Sequence, residues 1–219
     1  MRQKAPPSLA TQEEPTWEIA HLFPSQGSWT EDDYLELNGN HLVEYSNGNL
    51  EVLPMPTTSH QMVVAYLYGL LLAFSDAGDL GTVLFAPVRL RLWRRKFREP
   101  DLVFLSKENV GKIREQFWTG ADLVMEVVSS GEEARARDLV VKRREYARAG
   151  IREYWIVDPE EETITVLRLA GKRYVVHGEF AKGESAVSHL LPGFTADVSE
   201  VLKRKVPSNH KGSRERPKS

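Results

Sequence analysis

Residues 122–130 read DLVMEVVSS, an almost unbroken apolar run with one carboxylate, Glu126, at its centre. Strands covered on both faces carry such runs, because neither face meets water, whereas a half-exposed strand alternates. The chain must therefore fold around a sheet with a layer on each side. An ionised carboxylate buried there costs on the order of several kcal/mol unless a cation, hydrogen bonds or a metal compensates it. Glu126 is thus either a protonated or salt-bridged structural residue, with Lys142 as its obvious partner, or a residue that holds a metal.

The flanking segments supply the layers. WTEDDYLEL predicts a short helix, with Thr30 as its cap and Asp32 and Asp33 in the first turn. HLVEYSNGNLEVLPMP predicts a hairpin turning at Asn47-Gly48. TTSHQMVVAYLYGLLLAFSDAG places Val63, Leu67, Leu70, Leu71 and Phe74 at helical spacing, with Gly78 as the stop. TVLFAPVRLRLWRR and PDLVFLS predict strands, the first with an apolar face (Val88, Leu90, Leu92) and a basic one. EEARARDLVVKRREYARAG predicts a helix ending at Gly150, and IREYWIVDP a central strand stopped by Pro159. TITVLRL, KRYVVHGEF and a last short helix near VSEVLKR complete the order, which is that of an α/β or α+β mixed sheet flanked by helices.

The 219 residues suffice for one domain, expected over residues 16–202, between a disordered segment at 1–15 and a basic, disordered tail at 203–219. The absence of cysteine excludes disulfides, cysteine-ligated zinc, iron–sulfur clusters and thiol nucleophiles. No signal-like run opens the chain and no stretch reads as long enough to span a bilayer, so a cytoplasmic location without a membrane partner is expected. A formal net charge of −2 means that any nucleic acid must be met by a local patch.

Asp101 opens the strand PDLVFLS, Glu126 lies on the next, and Lys142 lies on the helix that follows. Asp138, Lys142 and Tyr146 are spaced by four, so they stack along one side of that helix, beside an apolar face of Leu139, Val140 and Ala147 that puts Lys142 at the boundary between core and solvent. Two carboxylates at adjacent strand ends supply hard oxygen ligands for magnesium or manganese, and an ammonium beside them can orient water or stabilise charge on a phosphate. Phosphodiester hydrolysis suits that set. Taken singly, Asp101 also reads as a strand-start charge reaching water, and Lys142 as a side chain that snorkels to pair with Asp138.

Pro100-Asp101 followed by the EVV of Glu126–Val128 resembles the PD-(D/E)xK nuclease superfamily. The run from PDLVFLS through DLVMEVVSS, ARDLVVKRREYARAGIREYWIVDP and LLPGF is similar to the Uma-type family of restriction-endonuclease-like proteins, over about residues 28–202. The resemblance implies a restriction-endonuclease-like mixed central sheet flanked by helices. One position departs from the superfamily motif: Val128 stands where a lysine is expected, and Lys142 matches the place to which the Uma-type lysine has migrated. The resemblance further implies Asp101 and Glu126 as metal ligands, Glu44 as another, direct or through water, and His60 as a residue near the scissile phosphate; unaided, Glu44 reads as a hairpin-edge carboxylate and His60 as a capping or surface residue.

Arg89, Arg91, Arg94, Arg95, Lys96 and Arg98 lead directly into Asp101, and Arg89, Arg91, Arg95 and Lys96 are the candidate nucleic-acid contacts; a solvated face balanced by nearby acids is the alternative. The expected activity is that of a magnesium- or manganese-dependent endonuclease acting on DNA, with a two-fold homodimer suited to cutting both strands. The alternative is a nuclease fold without catalysis, serving as a nucleic-acid-binding or regulatory module.

Overall fold

The structure is a computed structural model that describes residues 24–37, 41–204 and 206. The segment expected at 1–15 and most of the tail lie outside them.

Thr30 and Asp33 cap each other reciprocally at the start of α1 (Glu31–Leu35), each side chain accepting the other's backbone N–H. β1 (Val43–Ser46) and β2 (Asn49–Val52) form the expected hairpin. Its turn residues Asn47 and Gly48 have φ of 50° and 92°, and a Cβ on Gly48 would lie 2.3 Å from the Gly27 carbonyl oxygen, so glycine is required there. Thr57 caps α2 (Thr58–Gly78), whose Val63, Val64, Leu67 and Leu71 are buried. Gly78 is its last residue rather than its stop, because Asp79 takes the left-handed cap with φ 48°. At 21 residues α2 is also long and apolar enough to cross a bilayer, contrary to the expectation that no stretch would be; here it packs on the sheet.

TVLFAPVRLRLWRR divides between two sheets. β3 (Gly81–Phe85) joins the main sheet, and beyond Ala86-Pro87 the chain enters β4 (Leu90–Trp93) and β5 (Lys96–Arg98). Those two pair with the hairpin in the order β2-β1-β5-β4. β6 (Leu102–Ser106), β7 (Leu123–Val127), β8 (Glu153–Asp158), β9 (Thr163–Ala170) and β10 (Arg173–Ala181) complete a mixed six-stranded sheet, ordered β10-β9-β8-β7-β6-β3. β7 and β8 are parallel and central, as their apolar runs require. β11 (Ser185–Val187), β12 (Thr195–Asp197) and α4 (Val198–Leu202) close the described chain. Lys203 pairs with Glu200, and Arg204 stacks 4.3 Å over the Tyr66 ring, so the first residues assigned to the tail are still engaged with the domain.

Helix α3 follows β7 in three continuous segments, Glu132–Ala136, Arg137–Lys142 and Arg143–Ala149, the middle one π-helical. The wider π turn brings Asp138 and Lys142 inward and turns Val140 out, so Val140 is exposed instead of lying on the apolar face, and Lys142 is buried rather than at the boundary. Along β7, Leu123, Met125 and Val127 pack with α2 on one side, while Val124 and Val128 pack with Tyr146 and Ala147 of α3 on the other. Side chains alternate along a strand, so Glu126 faces α3.

Candidate active site

β6 and β7 are antiparallel, with Leu102 opposite Met125, which brings Asp101 and Glu126 together at one end of the pair. Asp101 Oδ2 accepts the Val127 backbone N–H at 2.8 Å. His60, in the first turn of α2, sets Nε2 3.2 Å from the same carboxylate oxygen and 3.0 Å from the Val127 carbonyl oxygen. Both neighbours are acceptors, so Nε2 carries the hydrogen. The Asp101 carboxylate raises the His60 pKa against the opposing effect of burial. His60 Nδ1 is buried without a hydrogen-bond partner.

Glu126 is 2% exposed. Its Oε1 accepts the Tyr146 hydroxyl at 2.6 Å and lies 2.9 Å from Lys142 Nζ. Lys142 also lies 3.1 Å from Asp138 Oδ1 and 3.9 Å from Glu44 Oε1. Burial lifts the Glu126 carboxyl above the usual carboxylate range, with the charges of Asp101 and Asp138 adding to it and Lys142 and Tyr146 opposing. Burial works against the Lys142 ammonium, but Glu126, Glu44, Asp138 and Asp101 outweigh it, so Lys142 remains a cation.

Glu44 is engaged behind this group. One of its oxygens takes Arg98, and the other accepts the Glu99 backbone N–H at 3.3 Å. Arg98 also donates to Glu145 at 2.7 Å, and Lys96 lies 2.7 Å from Glu145, so both basic residues of β5 are buried in ion pairs. Arg91 pairs with Glu31 at 2.7 Å. Arg89 donates to the Leu35 and Leu37 carbonyls and lies 3.9 Å from Glu99. The Arg95 backbone N–H meets Glu31, and its side chain is exposed. The predicted alternation is therefore present, but Arg89, Arg91 and Lys96 spend their charge within the chain.

A cleft of about 40 Å³ opens onto the group, lined by His60, Glu99, Asp101, Glu126, Val127, Ser129, Arg137, Asp138 and Lys142, with Leu42, Leu53, Pro54 and Pro56 at its apolar side. It admits an object of water or small-cation size. Asp101, Glu126, Lys142 and His60 thus come together as predicted, whereas Glu44 stands one layer back. Glu99, Ser129 and Arg137 were missed. Glu99 had a signal, a carboxylate directly before Pro100-Asp101. Burial pushes its carboxyl up to about 7, Arg89 opposing and Glu44 adding to the rise. Arg137 crosses to β2, donating to Glu51 at 3.0 Å.

Among the described residues, no three carboxylates or imidazoles form a closed metal-ligand set. The donors present nevertheless suit magnesium, which keeps several waters and takes one or two carboxylates. Asp101 and Glu126 each have one oxygen outside the contacts above, on hard donors that border the same cleft.

The residues that build this cleft all fall within residues 31–199, the span matched by the model of the family Uma2, described as "Putative restriction endonuclease". Among solved structures the chain is similar to one described as a "putative nuclease belonging to DUF820" from Anabaena variabilis ATCC 29413. That match has a TM-score of 0.66 and 16% identity, covering 80% of this chain and 98% of the other. It is also similar to the type IIG restriction endonuclease BpuSI, with a TM-score of 0.37 and 17% identity over 69% of this chain and 16% of that one, too slight a likeness to carry weight. No curated protein matches. The mixed sheet flanked by helices is thus a nuclease-like fold, and the chain belongs to the Uma2 family of restriction-endonuclease-like proteins.

Proposed function

We propose that the protein is a metal-dependent endonuclease that hydrolyses DNA phosphodiester bonds at the cleft between β6, β7 and α3. The observation that carries this is the buried Glu126, set between Asp101 and the Lys142 ammonium where a central strand ends at an opening. Asp101 and Glu126 would hold magnesium or manganese, which when bound supplies an activated water and neutralises charge on the phosphate.

The chain's own groups do the rest. Lys142 is fixed from two sides by Glu126 and Asp138, and as a retained cation it steadies negative charge on the phosphate rather than removing a proton from water. The Tyr146 hydroxyl holds Glu126 Oε1, which orients the carboxylate towards the cleft. His60 and the Val127 amide fix Asp101 Oδ2. Glu44 acts indirectly, anchoring Arg98 and adding negative charge behind Lys142. A homodimer would bring two such clefts to the two strands of a duplex.

Cleavage of supercoiled plasmid and single-stranded DNA with magnesium, manganese or EDTA, by wild type and Glu126→Ala, tests the proposal. Metal-dependent cutting that disappears in the variant is expected. Cutting in EDTA, or undiminished cutting by Glu126→Ala, contradicts it. A wild type that binds DNA but cuts neither form favours a binding module, a role to which the small volume of the cleft lends some weight.

A further inference from the structure

Helix α3 has a second face. Opposite Lys142, Leu139, Val140, Arg143, Arg144 and Ala147 line a groove of about 370 Å³, completed by Lys172 from the β9–β10 turn and by Arg173 and Tyr174 at the start of β10. Among the described residues, Arg143, Arg144, Lys172 and Arg173 take part in no ion pair, and no acidic residue lines the groove. This contrasts with β4 and β5, where Arg91, Lys96 and Arg98 are neutralised by Glu31, Glu145 and Glu44. A chain whose formal net charge is −2 thus concentrates four uncompensated cations in one concavity, over an apolar floor. Like charges held together repel, so their grouping favours whatever polyanion relieves it.

We infer that this groove is a docking channel for the phosphate backbone of duplex DNA flanking the cleavage site, an assignment that rests on the nuclease reading of the cleft. Arg143 directly follows Lys142, and the groove spans Leu139–Ala147 of the same helix, about 12 Å at 1.5 Å per residue. Phosphates held there would lie across α3 from the cleft, without entering it. The guanidinium forks suit phosphate oxygens, and contacts of this kind position DNA without reading its sequence.

The test is binding of a fluorescein-labelled duplex of about 30 base pairs by fluorescence anisotropy across a salt series in EDTA, where turnover plays no part. The proteins compared are wild type, the quadruple variant Arg143→Ala, Arg144→Ala, Lys172→Ala, Arg173→Ala, and a control of equal charge loss, Lys107→Ala, Lys112→Ala, Arg152→Ala, Lys182→Ala. Each phosphate contact contributes about 0.9 to the log–log salt slope, so the groove variant should bind at least about tenfold more weakly, with a slope shallower by about 3. The control should stay near wild type, and thermal melting verifies that all three are folded. Equal weakening in both variants, an unchanged slope, or no duplex binding by wild type overturns the inference. Capture of a poly-glutamate peptide in preference to duplex would assign the groove to an acidic protein and also overturns it. Wild type that binds through the groove yet cuts nothing with magnesium or manganese sinks the nuclease reading while leaving the docking channel in place.

Discussion

Glu126 on β7 and Glu153 on β8 are both carboxylates buried in neighbouring central strands, at opposite ends of one parallel pair in which Leu123 faces Glu153 and Glu126 faces Ile156. Glu153 is met by neutral donors. Its Oε1 accepts the Trp155 indole N–H at 2.7 Å and the Ser188 hydroxyl at 2.6 Å, and its Oε2 accepts the His189 and Leu190 amides at 2.7 and 2.6 Å. It pins the loop after β11 to the sheet and opens onto nothing. Glu126 instead shares its charge with Lys142 and Tyr146, has other carboxylates nearby that raise its pKa, and borders a cleft. Burial alone does not mark a site; a buried charge whose partners are themselves charged, at an opening, does.

Substitution should separate the two ends. The largest effect is expected for Glu126→Gln, which should slow metal-dependent DNA cleavage by about 10²–10³-fold while costing only about 1–2 kcal/mol of stability, since Asp138 still faces Lys142. Glu153→Gln should do the reverse. Turning an amide towards backbone donors should cost about 2–4 kcal/mol, seen as a melting temperature lower by about 5–15 °C, with cleavage per folded molecule unchanged. Loss of cleavage in both, or in neither, would dissolve the distinction.

Titration sharpens it further. Burial raises the Glu99 carboxyl to about 7 from its ordinary 4.5, so between these values the folded state holds a proton that the unfolded state has released. Stability should then fall by about 1–3 kcal/mol as pH rises from 4.5 to 7, and Glu99→Gln should flatten that slope in urea titrations. His60 has its pKa raised by Asp101, so its contribution is complete below its free value of about 6.5 and disappears as pH rises through the folded value. The difference in stability between wild type and His60→Gln should therefore shrink as pH rises above about 6.5, which urea titrations at a series of pH values would read.

Much of the cleft was legible because a charge stands out in an apolar run. Glu126 is conspicuous in LVMEVV, and the spacing of Asp138, Lys142 and Tyr146 is enough to put them on one side of a helix. The π-helical segment left no such mark, which is why Lys142 proved more buried, and Val140 more exposed, than an ordinary helix predicts. Glu153 has a similar sequence signature in IREYWIVDP, but its meaning depends on Ser188, His189 and Leu190, which lie 35 to 37 residues away in a loop of no special pattern. The arginines around β4 showed their alternation but not their acids, because Glu31 lies on α1 and reaches Arg91 only once the small sheet has formed.

In the proposed mechanism Lys142 serves from α3 in place of the lysine missing at Val128. The most direct test is the rate of magnesium- or manganese-dependent plasmid cleavage by Lys142→Ala, normalised to the fraction folded, because removing the ammonium leaves buried carboxylates unpaired. Cleavage at least about 100-fold slower than wild type is the predicted result. Equal rates in the two proteins would contradict the assignment of Lys142 as the catalytic cation.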